Sequence, residues 1–319
     1  MGLIFNVRYD SIKMLTNQYL TMEDMMDYII VSDVSLDIDK EFANTHDIKY
    51  IPMEYVLGEE TFYCNEPESD ERCHNFYESL RNKIKTQTSQ ITPQHYVDVF
   101  EPYVKEGKGI LYLSLSSGLS KTYESALLSV ENLKEEYETV NIEVVDSLAA
   151  TGGMGLIIEM AFENMEKGMS LKENADWIRE YSHKLLHFFR VEDLMYLKRG
   201  GRVSAATAVV ATALNIKPIL WINPDGGLDT IDKKRGNKLA MKNLVERFVK
   251  NFDPTITNKV YISCADCMAD AEVLKNMVLE ANPDVDIRLT MLSPIIGAHT
   301  GPDMIALIFF GRDRAEALE

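Results

Sequence analysis

The feature that most constrains this chain is a strand, a hydroxyl-rich turn and a helix that follow one another directly. Residues 109–113 (GILYL) form an apolar run of strand length, and residues 123–134 have the spacing of an amphipathic helix. The turn between them contains a group of hydroxyl side chains, namely Ser114, Ser116, Ser117, Ser120 and Thr122. Open α/β sheets bind ligands at such a junction, where the N–H groups of the following helix favour an anion.

The same turn also has a purely structural interpretation. Ser120 or Thr122 would cap the helix, and the other serines would fill the turn. The two interpretations differ in whether the hydroxyl groups contact a ligand, and the sequence of the turn alone leaves both open.

Length and charge limit the classes of protein that this chain can be. With 319 residues, 46% of them hydrophobic and 26% charged, it has the composition of a globular protein and room for two α/β domains. The formal net charge of −17 argues against nucleic acid or an anionic membrane as a standing partner, because both attract Lys and Arg. We therefore predict no nucleic-acid partner, while transient membrane contact or a basic protein partner stays open.

The chain has 4 cysteines, which are too few for a disulfide scaffold in a chain of this length. Cys264 and Cys267 have the C-x-x-C spacing of metal or redox sites, and Cys73 with His74 could add ligands. A second closely spaced pair is missing, so we predict no metal site, and we predict no other cofactor. The chain has no apolar run of about 18 residues and no secretory signal at 1–27, which favours a cytoplasmic protein.

The order of predicted strands and helices indicates the domain organisation. We expect an extension at 1–26, an α/β domain at 27–168 and a second α/β domain at 169–319. The boundary is placed where one helix ends at Gly168 and residues 170–173 (SLKE) match the capping box of the next.

Some segments carry predictions that bear on the site. We expect one strand at 48–57, an irregular acidic segment at 58–70 and a polar loop without periodicity at 85–93. Residues 88–90 of that loop are either solvated or form a second rim of hydroxyl donors that faces the serine turn. The helix that follows the capping box should run to about His187, ahead of a strand at 188–191. Residues 295–303 are predicted to form a glycine-bounded turn that leads into the last strand.

Polar side chains in separate turns suggest a common anion site. The sets are Thr88 with Ser89, Ser116 with Ser117, and Arg202 or His299. Donors that converge in this way would hold a carboxylate or phosphate group. The glycines at 152, 153 and 155 and the alanine-rich helix predicted at 205–214 would leave room for a chain behind that group. This combination predicts a protein that binds an amphiphilic acid.

Other functions could use the same residues. Ser117, His299 and Arg202 could act as nucleophile, base and oxyanion donor of a small-molecule hydrolase, but no carboxylate is visible that would orient His299. A sensor of phosphorylated ligands would need only the hydroxyl-rich site. His299 also has a structural interpretation, as a satisfied residue in a turn between Gly297 and Gly301.

A series of short motifs follows in order over roughly residues 27–311. They are 31–37 (VSDVSLD), 88–90 (TSQ), 115–120 (LSSGLS), 145–147 (VDS), 198–204 (KRGGRVS), 217–218 (KP) and 297–302 (GAHTGP). In this order and spacing the chain resembles the DegV family of bacterial fatty-acid-binding proteins. The resemblance implies two α/β domains, the first with a Rossmann-like parallel sheet, and a ligand cavity at the domain junction that encloses one long-chain fatty acid.

The resemblance also implies roles for individual residues. Thr88 and either Ser116 or Ser117 would hold the acyl carboxylate, and His299 and Arg202 would lie near that head group. The protein would be a carrier in phospholipid metabolism and not an enzyme. Its partner would be a separate ATP-dependent fatty acid kinase, which converts the bound acid to an acyl phosphate.

Some positions depart from the family pattern. Residues 88–92 (TSQIT) replace the usual Ser-Gln-Pro-Ser continuation, Lys121 replaces a glycine, and Asp303 replaces a glycine after 301–302. The last two changes would place charge near the mouth of the cavity. A carboxylate at 303 would weaken the binding of an anionic ligand or change the docking surface.

Overall fold

The structure is a computed structural model, and it describes residues 28–204 and 215–319. The predicted extension at 1–26 and the predicted alanine-rich helix at 205–214 lie outside the described residues. Within them the chain forms a mixed α/β fold with a 4-stranded sheet, a 6-stranded sheet and a small 3-stranded sheet. The predicted fold class is confirmed.

The first half of the chain contains most of the helices that surround the 4-stranded sheet. Its strands are β1 (Tyr28–Asp33), β2 (Lys49–Ile51), β3 (Met53–Leu57), β4 (Glu60–Cys64), β5 (Thr86–Thr88), β6 (Gly109–Ser114) and β7 (Ile142–Asp146). Its helices are α1 (Lys40–Thr45), α2 (Asp70–Arg81), α3 (Pro93–Lys105), α4 (Thr122–Glu136) and α5 (Gly152–Glu166).

The second half contributes the larger sheet. Its strands are β8 (Leu185–Arg190), β9 (Ile216–Ile222), β10 (Leu228–Arg235), β11 (Lys259–Cys264), β12 (Asp286–Met291) and β13 (Ile305–Phe310). Its helices are α6 (Leu171–Ser182), α7 (Leu194–Arg199), α8 (Asn237–Asn251), α9 (Met268–Ala281) and α10 (Pro294–Thr300).

The 4-stranded sheet has the strand order β2-β1-β6-β7, and every pair in it is parallel. Strand β6 lies in the interior of the sheet and every one of its residues is buried, which explains its continuous apolar sequence. The predicted strand at 109–113 is therefore confirmed, and the serine turn leaves from its carboxyl end, beside the ends of β1 and β7.

The 6-stranded sheet has the order β10-β9-β8-β13-β11-β12, and helix α5 packs between it and the parallel sheet. A Cβ atom on Gly152 would lie 2.3 Å from Ser263 Oγ of β11, and one on Gly155 would lie 2.4 Å from the carbonyl oxygen of Asp37. These glycines thus let α5 approach both halves of the chain, so protein atoms occupy the space that was expected to accept the chain of a ligand.

The predictions for residues 48–93 were partly wrong. The expected strand at 48–57 divides at Pro52, which has no N–H group to continue the ladder, so β2 joins the parallel sheet and β3 joins the small sheet. The segment expected to be irregular contains β4, which pairs with β3 in antiparallel orientation. The expected polar loop contains β5, in which Thr88 pairs with Tyr55. Sheet pairing with β3 orders both segments.

Two further predictions were wrong. The helix after the capping box ends at Ser182, and His187 lies in β8, whose six residues are all buried beside β13. Periodicity cannot distinguish a short buried strand from a buried helical turn. Residues 295–303 include helix α10, which has Pro294 in its first turn, where proline is favoured.

The capping box itself is confirmed, because Ser170 Oγ accepts from Glu173 N and the Glu173 side chain accepts from Ser170 N. The helix that it begins, α6, packs on the first sheet. Asn174 Nδ2 donates to Tyr28 Oη at 3.0 Å, and Arg179 Nη2 donates to the Val144 carbonyl at 3.3 Å. The boundary at 168 stays a prediction, and the first helix beyond it contacts the parallel sheet.

Candidate ligand-binding site

Two carboxylates fix the serine turn that follows β6. Asp33 Oδ2, at the end of β1, accepts from Leu115 N at 3.3 Å, and Asp146 Oδ1, at the end of β7, accepts from Ser117 N at 3.1 Å. Burial raises the pKa of Asp33, and hydrogen bonds from Ser35 and other donors oppose the rise. The turn is therefore held from the two strands on either side of β6.

The two serines of the turn have different surroundings. Ser116 is fully buried, and its Oγ donates to the carbonyl of Gly226 at 2.8 Å, in the hairpin between β9 and β10. Ser117 lines a cavity that Ser116 does not. Of the alternatives Ser116 and Ser117, the structure brings only Ser117 to the cavity. Ser116 instead joins the turn to the second half of the chain.

The structural interpretation of the turn also needs correction. The N-cap residue of α4 is Lys121, whose side chain makes no capping hydrogen bond. Ser120 lies one residue before the N-cap position, and its Oγ accepts from Thr122 N at 3.4 Å. Gln90 of the TSQ motif contacts the same helix start, where its Nε2 donates to Ser125 Oγ at 2.7 Å.

Thr88, His299 and Arg202 form one cluster, although they come from distant parts of the chain. Thr88 Oγ1 lies 2.9 Å from His299 Nε2, and Arg202 Nη1 lies 3.5 Å from His299 Nδ1. Arg202 is itself positioned by its Nε, which donates to the Leu119 carbonyl at 2.9 Å in the serine turn. Gly200 packs so closely on the imidazole that a Cβ there would lie 2.3 Å from Nδ1.

The hydrogen bonds of the cluster determine which atoms are left for a ligand. Burial and the Arg202 charge lower the pKa of His299 to about 4, so its ring is neutral near pH 7. The guanidinium can only donate, so Nδ1 of His299 accepts, and Nε2 carries the proton and donates to Thr88 Oγ1. The hydroxyl hydrogen of Thr88 is then available to a carboxylate in the cavity.

A cavity of about 460 Å³ lies between the two halves of the chain, within the usual range of ligand pockets. Its polar lining includes Thr88, Ser89, Gln90, Ser117, Ser120, Lys121, Arg202 and His299. Its apolar lining includes Met53, Leu115, Phe189, Leu197, Ile222, Leu228, Ile295, Ile296, Met304 and Ala306. The cavity thus combines a cluster of hydrogen-bond donors with a larger apolar wall.

A second cavity of about 550 Å³ shares Thr88, Gly200, Arg202 and His299 with the first. We call it the outer groove. Its other described lining residues include the cations Lys83, Lys85 and Arg199 and the acid Asp193. The polar cluster therefore contributes to two cavities, one mainly apolar and one rich in positive charge.

The two expected charges near the mouth differ in their location. Asp303 lines neither cavity, and its Oδ1 accepts from Arg81 Nη2 at 2.7 Å, so the expectation that it places charge at the mouth was wrong. Lys121 does line the first cavity, and its Nζ lies 2.7 Å from Glu124 Oε1.

Within residues 28–204 and 215–319, no group of three or more His, Cys, Asp or Glu side chains is arranged to hold a metal ion. In the same residues no helix is long and apolar enough to cross a membrane.

Sequence reasoning missed the cations of the outer groove, and among the residues of the first cavity it missed His187. Lys83, Lys85 and Arg199 could have been noticed as a basic set in a chain of net charge −17. No sequence signal marks His187, because its contact with the cavity depends on the pairing of β8.

The fold and the cavity define a class of protein, namely a mixed α/β protein with a ligand-sized cavity between a parallel sheet and a mixed sheet. The chain belongs to the DegV family, since the family model described as "Uncharacterised protein, DegV family" matches residues 28–312. A DegV domain-containing protein of Clostridium perfringens is 36% identical over 287 residues, which cover 90% of this chain and 98% of that protein.

Solved structures show the same fold. A Thermotoga maritima protein, described as revealing a fatty acid binding function, superposes with a TM-score of 0.74 at 27% identity, over 90% of this chain and 100% of its own. The Fatty Acid Kinase (Fak) B3 protein of Streptococcus pneumoniae, loaded with linoleic acid, gives a TM-score of 0.76 at 19% identity, over 89% and 99%. At that identity the second likeness concerns the fold alone.

Proposed function

We propose that this protein binds a long-chain fatty acid, with the acyl chain in the apolar cavity and the carboxylate at Thr88 and Ser117. The observation that carries the proposal is the position of these two hydroxyl-bearing residues, which come from strand β5 and from the serine turn and line the same largely apolar cavity. Burying each methylene contributes roughly 0.8 kcal/mol, so a long chain provides most of the affinity.

The polar cluster suits a carboxylate better than a metal or a cation. Thr88 has a hydroxyl hydrogen to donate, and the positively charged Arg202 contacts the other side of the His299 ring. Because Arg202 also donates to the carbonyls of Leu119 and Gly200, it adds a favourable field without a direct ion pair that would retain the acid.

We further propose that the protein presents this carboxylate to an ATP-dependent fatty acid kinase in the cytoplasm, and that it is a carrier with no catalytic role. The outer groove supports this step, because it reaches Thr88, Arg202 and His299 and is lined by Lys83, Lys85 and Arg199. Such cations would attract the phosphates of ATP as the carboxylate oxygen attacks the γ-phosphorus and ADP leaves.

The hydrolase alternative has less support in the described residues. His299 Nε2 is paired with Thr88 and its Nδ1 faces Arg202, so neither nitrogen is arranged as the base of a Ser117 nucleophile. A sensor of phosphorylated ligands would use the same cluster, but the apolar part of the cavity would then have no occupant.

The proposal is tested by extracting the purified protein with organic solvent and identifying the extract by mass spectrometry. We expect about one fatty acid per chain. The Thr88→Ala/Ser117→Ala double variant should retain at least tenfold less acid after dialysis against acceptor vesicles, because each hydrogen bond to a charged group contributes about 1.5–3 kcal/mol.

Ser116→Ala is the matched control, because Ser116 lies in the same turn but bonds to Gly226 instead of lining the cavity. It should retain the acid. Equal retention by wild type and the double variant would contradict the assigned site, and an empty wild-type protein with esterase activity would favour the hydrolase.

Addition of the kinase and ATP tests whether the protein presents the bound acid, with acyl phosphate as the measured product.

A further inference from the structure

The C-x-x-C pair, Cys264 and Cys267, lies outside the proposed fatty-acid site, because neither residue is among the described residues that line the two cavities. Cys264 is the last residue of β11, and Cys267 is the N-cap residue of α9, so a turn of only two residues joins them. Both are free thiols. A C-x-x-C pair at the start of a helix is typical of redox-active sites.

The backbone between the two cysteines is anchored on both sides. Arg81 Nη2 of α2 donates to the carbonyl of Asp266 at 3.1 Å, and His74 Nδ1 of the same helix lies 3.0 Å from Asp266 Oδ1. On the other side, Ala265 N donates to the carbonyl of Met304 at 2.9 Å. The turn therefore holds the two thiols next to each other, and they share a hydrogen bond.

The two thiols differ in exposure and in acidity. Cys264 is fully buried, whereas Cys267 is partly exposed. Their shared hydrogen bond lowers the pKa of Cys264 and raises that of Cys267, so the pair loses one proton more readily than an isolated thiol and keeps the other. The remaining proton is shared by both sulfur atoms, so thiolate character also reaches Cys267, the member that a small oxidant meets first.

We propose that Cys264 and Cys267 form a reversible intramolecular disulfide when the protein meets hydrogen peroxide. The Cys267 sulfur attacks a peroxide oxygen, the O–O bond breaks, and the products are a sulfenic acid and water. The Cys264 sulfur then attacks the sulfenic sulfur, the S–S bond forms, the S–O bond breaks, and a second water leaves. The thiols give up two electrons and two protons, and the peroxide is reduced to water.

The second step needs no exposure of Cys264, because the atom that it attacks is the sulfur beside it. A dithiol reverses the reaction by thiol–disulfide exchange. The other two cysteines should resist the same oxidant, because Cys64 and Cys73 are both buried and burial raises the pKa of each thiol.

The experiment treats the folded protein with hydrogen peroxide, removes the peroxide, and blocks free thiols with N-ethylmaleimide in denaturant before digestion with trypsin and mass spectrometry. Cleavage after Lys259 and Lys275 leaves both cysteines of the pair in peptide 260–275. We expect this peptide to carry no maleimide and to be two hydrogen atoms lighter than its reduced form. Cys64 and Cys73 should carry maleimide, and dithiothreitol before blocking should restore two maleimides to peptide 260–275.

Cys73→Ser is the matched control and should form the disulfide as the wild type does, whereas Cys267→Ser should leave Cys264 as a free thiol after peroxide treatment. Two maleimides on peptide 260–275 of the treated wild type would overturn the proposal, and so would a sulfinic acid at Cys267 beside a free Cys264. The wild-type digest decides the matter even where a variant fails to fold. The outcome is independent of fatty-acid binding, which concerns other residues.

Discussion

The contact between the serine turn and the hairpin of residues 223–227 makes a quantitative prediction. A Cβ on Gly118 would lie 2.4 Å from the backbone carbon of Gly226 and 2.5 Å from Gly227 N, whereas carbon atoms in contact are about 3.5–4.0 Å apart. Gly118→Ala must therefore separate the two turns by roughly 1 Å. That displacement breaks the bond from Ser116 Oγ to the Gly226 carbonyl, now 2.8 Å long.

The magnitude follows from the burial of Ser116, which is fully inaccessible to water. Leaving its hydroxyl and the carbonyl of Gly226 unpaired should lower the free energy of unfolding by about 1–3 kcal/mol. Urea denaturation followed by circular dichroism measures the change. Fatty-acid affinity should fall as well, because Leu115 and Leu228 line the cavity from the two sides that separate.

Gly227→Ala provides the control for this variant. The three atoms nearest to a Cβ at that position would all belong to Asn223, the closest at 3.6 Å, which is an ordinary contact in the same hairpin. If Gly118→Ala and Gly227→Ala had unfolding free energies within about 0.5 kcal/mol of each other, the tight contact between the turns would be refuted.

Further predictions concern the charges around the site. Burial raises the pKa of Asp37 from 3.8 to about 7, so the folded state keeps a proton that the unfolded chain releases. The free energy of unfolding should therefore fall as pH rises from about 4 to 7. Asp37→Asn should make the free energy of unfolding, measured by urea titration, less dependent on pH in that range. Because the pKa of His299 is lowered to about 4, its ring should not change charge between pH 5.5 and 8, and fatty-acid affinity should be constant over that range. A change in affinity centred near pH 6.5 would show that the ring titrates there. Asp146→Ala removes the acceptor for Ser117 N and should weaken binding several-fold by fluorescence titration, whereas Asp146→Asn keeps an acceptor oxygen and should bind normally.

The sequence was most informative where local chemistry determines local structure. The apolar run at 109–113 is buried on all sides, so its strand was evident, and the turn after it had to lie at the sheet edge where β1 and β7 also end. Thr88, Ser117, Arg202 and His299 were singled out as donors in separate turns, and the structure brings them to one cavity. Their role in binding a carboxylate stays a prediction.

What sequence reasoning missed depends on pairing between distant residues. Residue 187 reads equally well as the end of a helix or the start of a strand, and only the pairing of β8 with β13 decides the matter. The choice of Ser117 over Ser116 depends on the hairpin at Gly226, more than a hundred positions away. The side chain of Asp303 turns to Arg81, a partner that no local pattern indicates.

The shared wall between the apolar cavity and the outer groove has a consequence for recognition. Thr88, Arg202 and His299 belong to both spaces, so an acid that takes the Thr88 hydroxyl hydrogen also changes the surface that lines the groove. A protein docked there would meet one arrangement of hydrogen-bond donors when the cavity is occupied and another when it is empty. It would distinguish the two states without touching the hydrocarbon.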